Sequence, residues 1–214
     1  MDYLKQLILR YPILESCKED IEKSYCVLER CFASGNKLLI AGNGGSCADS
    51  EHIVGELMKG FKLPRKCSPE FAEKLKEIDE KRGGELAEKL QGGLPTIALA
   101  GHQGLNTAFI NDVENGGLLV YAQQVYGYGK KGDVLLGIST SGNSKNVMNA
   151  VVVAKAMDMS VICLTGAKGG ELAGVADVAI KVPETETFMI QELHLPIYHC
   201  LCLMLEERFF GKQE

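Results

Sequence analysis

Ser139, Thr140, Ser141 and Ser144 put four hydroxyls into six consecutive positions, interrupted only by Gly142 and Asn143. The apolar run Val134-Leu-Leu-Gly-Ile138 precedes them, and a helical pattern from Lys145 to Met157 follows. At a strand-to-helix junction the N–H groups of the first helical turn point outward and the helix dipole favours negative charge, so added hydroxyls make a phosphate cradle. One Ser or Thr there would be an ordinary helix cap; the concentration of hydroxyls is what points to an anion. A second junction, Gly42-Asn43-Gly44-Gly45-Ser46, follows the short run Lys37-Leu-Leu-Ile-Ala41. Its glycines let backbone approach a ligand closely, although a Gly-rich loop alone is also a plain turn.

Two pairs of polar side chains stand in otherwise apolar helical patterns. His52 and Glu56 are four apart and share a helix face. Gln191 and His199 are eight apart, about two turns, and again share a face. A lone histidine in an apolar helix is more often packing than chemistry. A histidine and a carboxylate on one face, matched by a second polar pair elsewhere, suit proton transfer or part of a metal site. A glutamine is an unusual zinc ligand, so spacing alone does not establish a metal.

The elements that must position these groups alternate. Strand-like runs occur at 37–41, 96–100, 133–138, 160–165 and 178–182, with helical patterns between them and a long closing helix from about Thr187 to Phe210. Pro196 is expected to kink that helix or lie near its start. The alternation predicts an α/β fold with a doubly wound, mostly parallel sheet flanked by helices, in which ligands sit beyond the carboxyl ends of the strands. Both glycine- and hydroxyl-rich loops fall at such ends. Residues 62–93 break the pattern: they are charged, punctuated by Pro64, Pro69 and Gly83-Gly84, and read as a helical excursion from one domain spanning 1–214. The expected helical pieces are 71–78 and 85–90.

Composition narrows the class. A net charge of -5 disfavours a general nucleic-acid or anionic-membrane surface. No apolar run reads as a membrane span and the first residues do not read as a signal peptide, so a cytoplasmic protein is expected. The 8 cysteines are scattered without a CxxC and read as reduced, several of them core, residues.

The chain resembles the sugar isomerase (SIS) domain family of flavodoxin-like, Rossmann-like α/β proteins, and within it the phosphoheptose isomerases. The runs that carry the resemblance are 42–46, His52-x-x-x-Glu56-Leu57, Asn111-Asp112, 132–144, Leu164-Thr-Gly166 and Gln191-Glu-x-His194 with His199. It implies an aldose–ketose isomerase acting on a sugar phosphate, sedoheptulose 7-phosphate to D-glycero-D-manno-heptose 7-phosphate, by enediol proton transfer. It further implies substrate contacts from Asn43, Gly44, Gly45, Glu56, Asn111, Asp112 and Gln191, with the phosphate on Ser139, Thr140, Ser141 and Ser144. His52, Glu56, Gln191 and His199 match the family's metal-binding positions, where zinc occurs in some members, and Glu56 and His199 match the residues given the acid and base roles. No nucleotide cofactor is expected, and a homotetramer is usual in the family. SIS domains also serve as non-catalytic sugar-phosphate sensors or as regulators of a protein partner. The sequence shows no appended DNA-binding module, and His52, Glu56, Gln191 and His199 together favour the enzyme.

Overall fold

Five short aliphatic runs assemble into one parallel sheet in the computed structural model, which describes residues 2–211. They are β1 (Leu38–Gly42), β2 (Thr96–Ala98), β3 (Val134–Ile138), β4 (Ser160–Thr165) and β5 (Val178–Lys181), in the spatial order β2-β1-β3-β4-β5. Every adjacent pair is parallel. β1 and β3 are in register from Leu38 against Val134 to Gly42 against Ile138, so their carboxyl ends finish level. The strand order reverses between these two strands, which makes their ends the crevice where such sheets receive ligands.

The helices are α1 (Tyr3–Arg10), α2 (Lys18–Ala33), α3 (Gly45–Met58), α4 (Pro69–Ile78), α5 (Glu80–Lys89), α6 (Gln103–Asp112), α7 (Gly116–Tyr128), α8 (Lys145–Ala156), α9 (Gly170–Val175) and α10 (Thr187–Phe210). Side chains alternate across the strands and feed two cores. Leu38, Ile40, Leu136, Ile138 and Ile162 pack with α1, α2, α3 and α10. Leu39, Leu135, Val161 and Cys163 pack with α7, α8 and α9 on the other face. β1 and β3 are buried on both sides, which explains why their sequences are apolar throughout rather than alternating.

Several sequence expectations need adjustment. Gly83-Gly84 does not break a helix; both glycines lie inside α5, because α5 closes on α4 where a Cβ on Gly83 would meet the Leu75 carbonyl carbon and the Lys76 nitrogen. Residues 62–93 form the hairpin α4–α5 outside the sheet, tied at its base by a bridge between Lys66 and Gln91 and by the Gly92 N–H on the Arg65 carbonyl. α10 runs unbroken through Pro196. It is also long and apolar enough, by length and composition, to cross a membrane, contrary to the sequence reading. Ile190, Ile197, Tyr198, Leu201 and Leu205 bury it in the core, which accounts for that hydropathy without a bilayer. All eight cysteines are free; Cys17, Cys31, Cys163, Cys200 and Cys202 are buried, whereas Cys26 is exposed.

Candidate active site

The hydroxyl loop leaves β3 and is held from below by backbone. The Gly142 N–H bonds the Ser139 carbonyl, the Gly166 N–H bonds the Thr140 carbonyl and the Leu172 N–H bonds the Gly142 carbonyl. Gly142 has φ +66° and a Cβ there would collide with the Gly169 carbonyl, so only glycine lets this loop lie on the next one. Ser144 occupies the N-cap position of α8 but makes no side-chain cap bond. Its hydroxyl instead lies 2.9 Å from the Ser139 hydroxyl. Asn146 Oδ1 accepts the Val147 N–H at 3.0 Å, which leaves the Lys145 and Asn146 N–H groups of the first turn of α8 for an anion. A cavity of about 250 Å³ opens beside the loop, lined among others by Thr140, Ser141, Asn143 and Lys168.

The glycine loop after β1 joins this one directly. Asn43 and Asn146 exchange side-chain hydrogen bonds of 2.9 Å each, which ties the end of β1 to the first turn of α8. Gly44, at φ +57°, turns the chain into α3. A Cβ on Gly45 would strike the Gln191 side chain, so the absence of one is what lets α10 bring Gln191 to this loop.

α3 and α10 then run alongside each other in the same sense, Gly45 beside Gln191 and His52 beside His199. His52 Nε2 lies 3.1 Å from Glu56 Oε1 and 3.4 Å from His199 Nε2. One donor atom from each of His52, Glu56 and His199 falls within 4.8 Å of the others. Glu56 Oε2 is buried without a hydrogen bond, with the Lys59 ammonium 3.7 Å away. Two imidazoles and a carboxylate with a free oxygen form a donor set that suits zinc with one position open. Burial first, and then the neighbouring His52, hold the His199 imidazole below its ordinary pKa, against the opposing pull of Glu56. Tyr198 completes the wall: its hydroxyl donates to Asp49 Oδ1 at 3.1 Å and lies 3.0 Å from His52 Nδ1.

The cluster is anchored from behind. Arg65, 2% exposed, donates to the Glu56 and Leu57 carbonyls at the end of α3 at 2.9 and 2.6 Å and to Glu206 Oε1 of α10 at 2.9 Å. Glu206 also accepts the N–H groups of Phe61 and Lys62. One buried ion pair thus fastens the helix that carries Glu56 to the helix that carries His199.

The chain therefore brings His52, Glu56 and His199 together, and separately gathers Asn43, Gly44, Gly45, Ser139, Thr140, Ser141 and Ser144 at the strand ends. Gln191 belongs to the second group: eight residues of helix place it about 12 Å along α10 from His199. From Gly45 to His52 is about 10 Å along α3 by the same rise. Asn111 and Asp112 end α6 and hydrogen-bond to each other at 2.9 Å; among the described residues no hydrogen bond links their side chains to either group. His194 is fully buried, and burial pushes its imidazole down to about 4, as expected of a packing residue. Sequence reading missed Asp49, Tyr198, Asn146, Arg65 and Glu206. Only Asp49 had a local signal, one turn before His52 on the same face.

Residues 81–166 match the SIS domain family. A phosphoheptose isomerase of Shewanella frigidimarina is 35% identical over 203 residues, 94% of this chain and 89% of that protein. One from Shewanella baltica is 36% identical over the same shares. Among solved structures, the phosphoheptose isomerase of Neisseria gonorrhoeae superposes with a TM-score of 0.71 at 32% identity, covering 95% of this chain and 91% of that one. That of Francisella tularensis gives 0.73 at 29%, covering 96% and 95%.

Proposed function

The chain belongs to the phosphoheptose isomerase family, and from that premise we infer that it is an aldose–ketose isomerase converting sedoheptulose 7-phosphate to D-glycero-D-manno-heptose 7-phosphate. The observation that carries the chemistry is the meeting of Glu56 and His199, far apart in sequence, with His52 between them. Ketose–aldose exchange moves a proton between C1 and C2 through an enediol, and needs one group for the carbon-bound proton and one for the oxygens. Glu56, whose Oε2 is without a hydrogen bond, takes the proton from C1 and returns it to C2. The His199 imidazole carries a proton between O1 and O2. A zinc ion, where His52, Glu56 and His199 hold one, would polarise the carbonyl and stabilise the enediolate in place of the His199 proton.

The remaining assignments belong to the same proposal. Ser139, Thr140, Ser141 and Ser144, with the Lys145 and Asn146 N–H groups at the start of α8, hold the phosphate. Asn43, Gly44, Gly45 and Gln191 hold the sugar between the phosphate and the reacting carbons. Asn111 and Asp112 complete a substrate site from outside the crevice. Phe188 and Met189 at the start of α10 and Leu195 one turn before His199 leave apolar surface exposed, which suits a homo-oligomer, a tetramer by family habit, in a cytoplasmic enzyme. A sensor that binds sugar phosphate without converting it has no use for an acid and a base at one point, so catalysis is favoured over that reading.

Incubation of the purified protein with sedoheptulose 7-phosphate, with and without added zinc, should yield an aldoheptose phosphate. Binding of a panel of sugar phosphates with conversion of none would transfer the reading to the sensor. Replacing Ser141 and Ser144 together by alanine should weaken sugar-phosphate affinity more than tenfold, each lost hydrogen bond to a charged group being worth about 1.5–3 kcal/mol. Unchanged calorimetric affinity in a folded double variant would remove the phosphate from this loop.

A further inference from the structure

We propose that Tyr198, backed by Asp49, is a positioning residue that holds His52 in the Nδ1–H tautomer, so that the Nε2 lone pair faces Glu56 and His199. The inference rests on His52 being a site residue and concerns only protons the chain itself carries.

The protons can be counted. The Tyr198 hydroxyl has one hydrogen to donate and two neighbours to receive it, Asp49 Oδ1 at 3.1 Å and His52 Nδ1 at 3.0 Å. Asp49 Oδ2 is buried with no hydrogen-bond partner, so Tyr198 is the side chain that satisfies this carboxylate. If the hydroxyl turned to a bare His52 Nδ1, a half-buried carboxylate whose Oδ2 is closed to solvent would be left with no side-chain donor, an expensive loss. With the hydroxyl on Asp49, its oxygen is free to accept, and Nδ1 must carry a proton to use it. Asp49, Tyr198 and His52 are then satisfied in one chain of hydrogen bonds. The neutral ring has no second proton for Nε2, which stands 3.1 Å from Glu56 Oε1 and 3.4 Å from His199 Nε2. An arrangement that points a lone pair at a carboxylate and a second imidazole is built to receive a cation or an acidic proton there, and a neighbour that fixes the far nitrogen is the usual means of aiming such a histidine. Tyr198 is itself 2% exposed and packs edge-on to the His52 ring at a centroid separation of 5.5 Å, so its hydroxyl is not free to wander.

The test is the tautomer, read by long-range proton–nitrogen NMR of histidine-labelled protein above the range in which imidazole ordinarily titrates, with the His52 signal assigned by its loss in His52→Gln. The metal-free wild type should show the Nδ1–H form. Tyr198→Phe, which removes only the hydroxyl, should move His52 toward the Nε2–H form, now donating to Glu56, and should lower the melting temperature because Asp49 loses its side-chain donor. Zinc affinity by chelator competition should fall about 10–100-fold in the same variant. A wild-type ring protonated on Nε2, or a Tyr198→Phe protein with unchanged tautomer and zinc affinity, would overturn the proposal. Should Tyr198→Phe not fold, the wild-type tautomer alone decides. Should the wild type take up no zinc, the metal reading of the site fails while the tautomer still judges Tyr198.

Discussion

Glu56→Gln is expected to cut the isomerisation rate by about 10²–10⁴-fold, the usual contribution of a positioned acid or base, while substrate still binds. His199→Asn should do the same. Both side chains lie at one point in the folded chain, linked through His52, so each change removes one member of a single acid/base cluster. The measurement is exchange with solvent of a C1 proton of sedoheptulose 7-phosphate and of the C2 proton of the aldose product, followed by NMR in deuterated water, together with the binding constant for the sugar phosphate. Removal of a proton carrier stops exchange at constant affinity. Removal of a packing residue lowers the melting temperature and leaves the rate per folded molecule near wild type. The second pattern for Glu56→Gln would end its catalytic assignment. The double variant should be little slower than the worse single one, because groups that act as a unit on one enediol step lose their effects together.

Arg65→Met is expected to destabilise the fold by about 3–5 kcal/mol, since it leaves the Glu206 carboxylate buried without its cation. The pair is closed to solvent, with side-chain exposures of 0% and 1%, and the guanidinium also lies 4.6 Å over the Phe210 ring. Combining Arg65→Met with Glu206→Leu should recover part of the loss but not all, because the Phe61 and Lys62 N–H groups and the Glu56 carbonyl lose these partners and the Leu57 carbonyl keeps only the Leu94 N–H. Denaturant unfolding of the three variants measures this, and a single-variant loss under about 1 kcal/mol would place the pair among weak surface bridges. Burial works to raise the Glu206 pKa, but the Phe61 and Lys62 amides and Arg65 outweigh it and hold the carboxyl below its ordinary 4.5. A depressed acid stabilises the fold above its unfolded pKa and ceases to do so as pH falls through the folded value. Wild type should therefore lose stability on acidification below about pH 4.5, and Glu206→Gln should show a shallower loss over that window.

The local chemistry of this protein was legible in its sequence. Aliphatic runs marked all five strands, most clearly β1 and β3, because a strand buried on both faces must be apolar throughout. The glycine and hydroxyl residues after those two runs placed both ligand loops at carboxyl ends, and spacings of four and eight put His52 with Glu56 and Gln191 with His199 on shared helix faces. Where punctuation misled, tertiary contact was the cause: Gly83-Gly84 looked like a break and is a place where one helix rests on another. What the folded chain alone decided is the alignment of α3 beside α10. It joins His52 to His199, sends Gln191 to Gly45 instead, and brings Tyr198 to Asp49 and Arg65 to Glu206. These contacts span 141 to 149 positions of sequence where a hydrogen bond records them. Periodicity reports which face of a helix a residue occupies, but the neighbour it meets there depends on how two helices slide and turn on the sheet, and no local pattern encodes that offset.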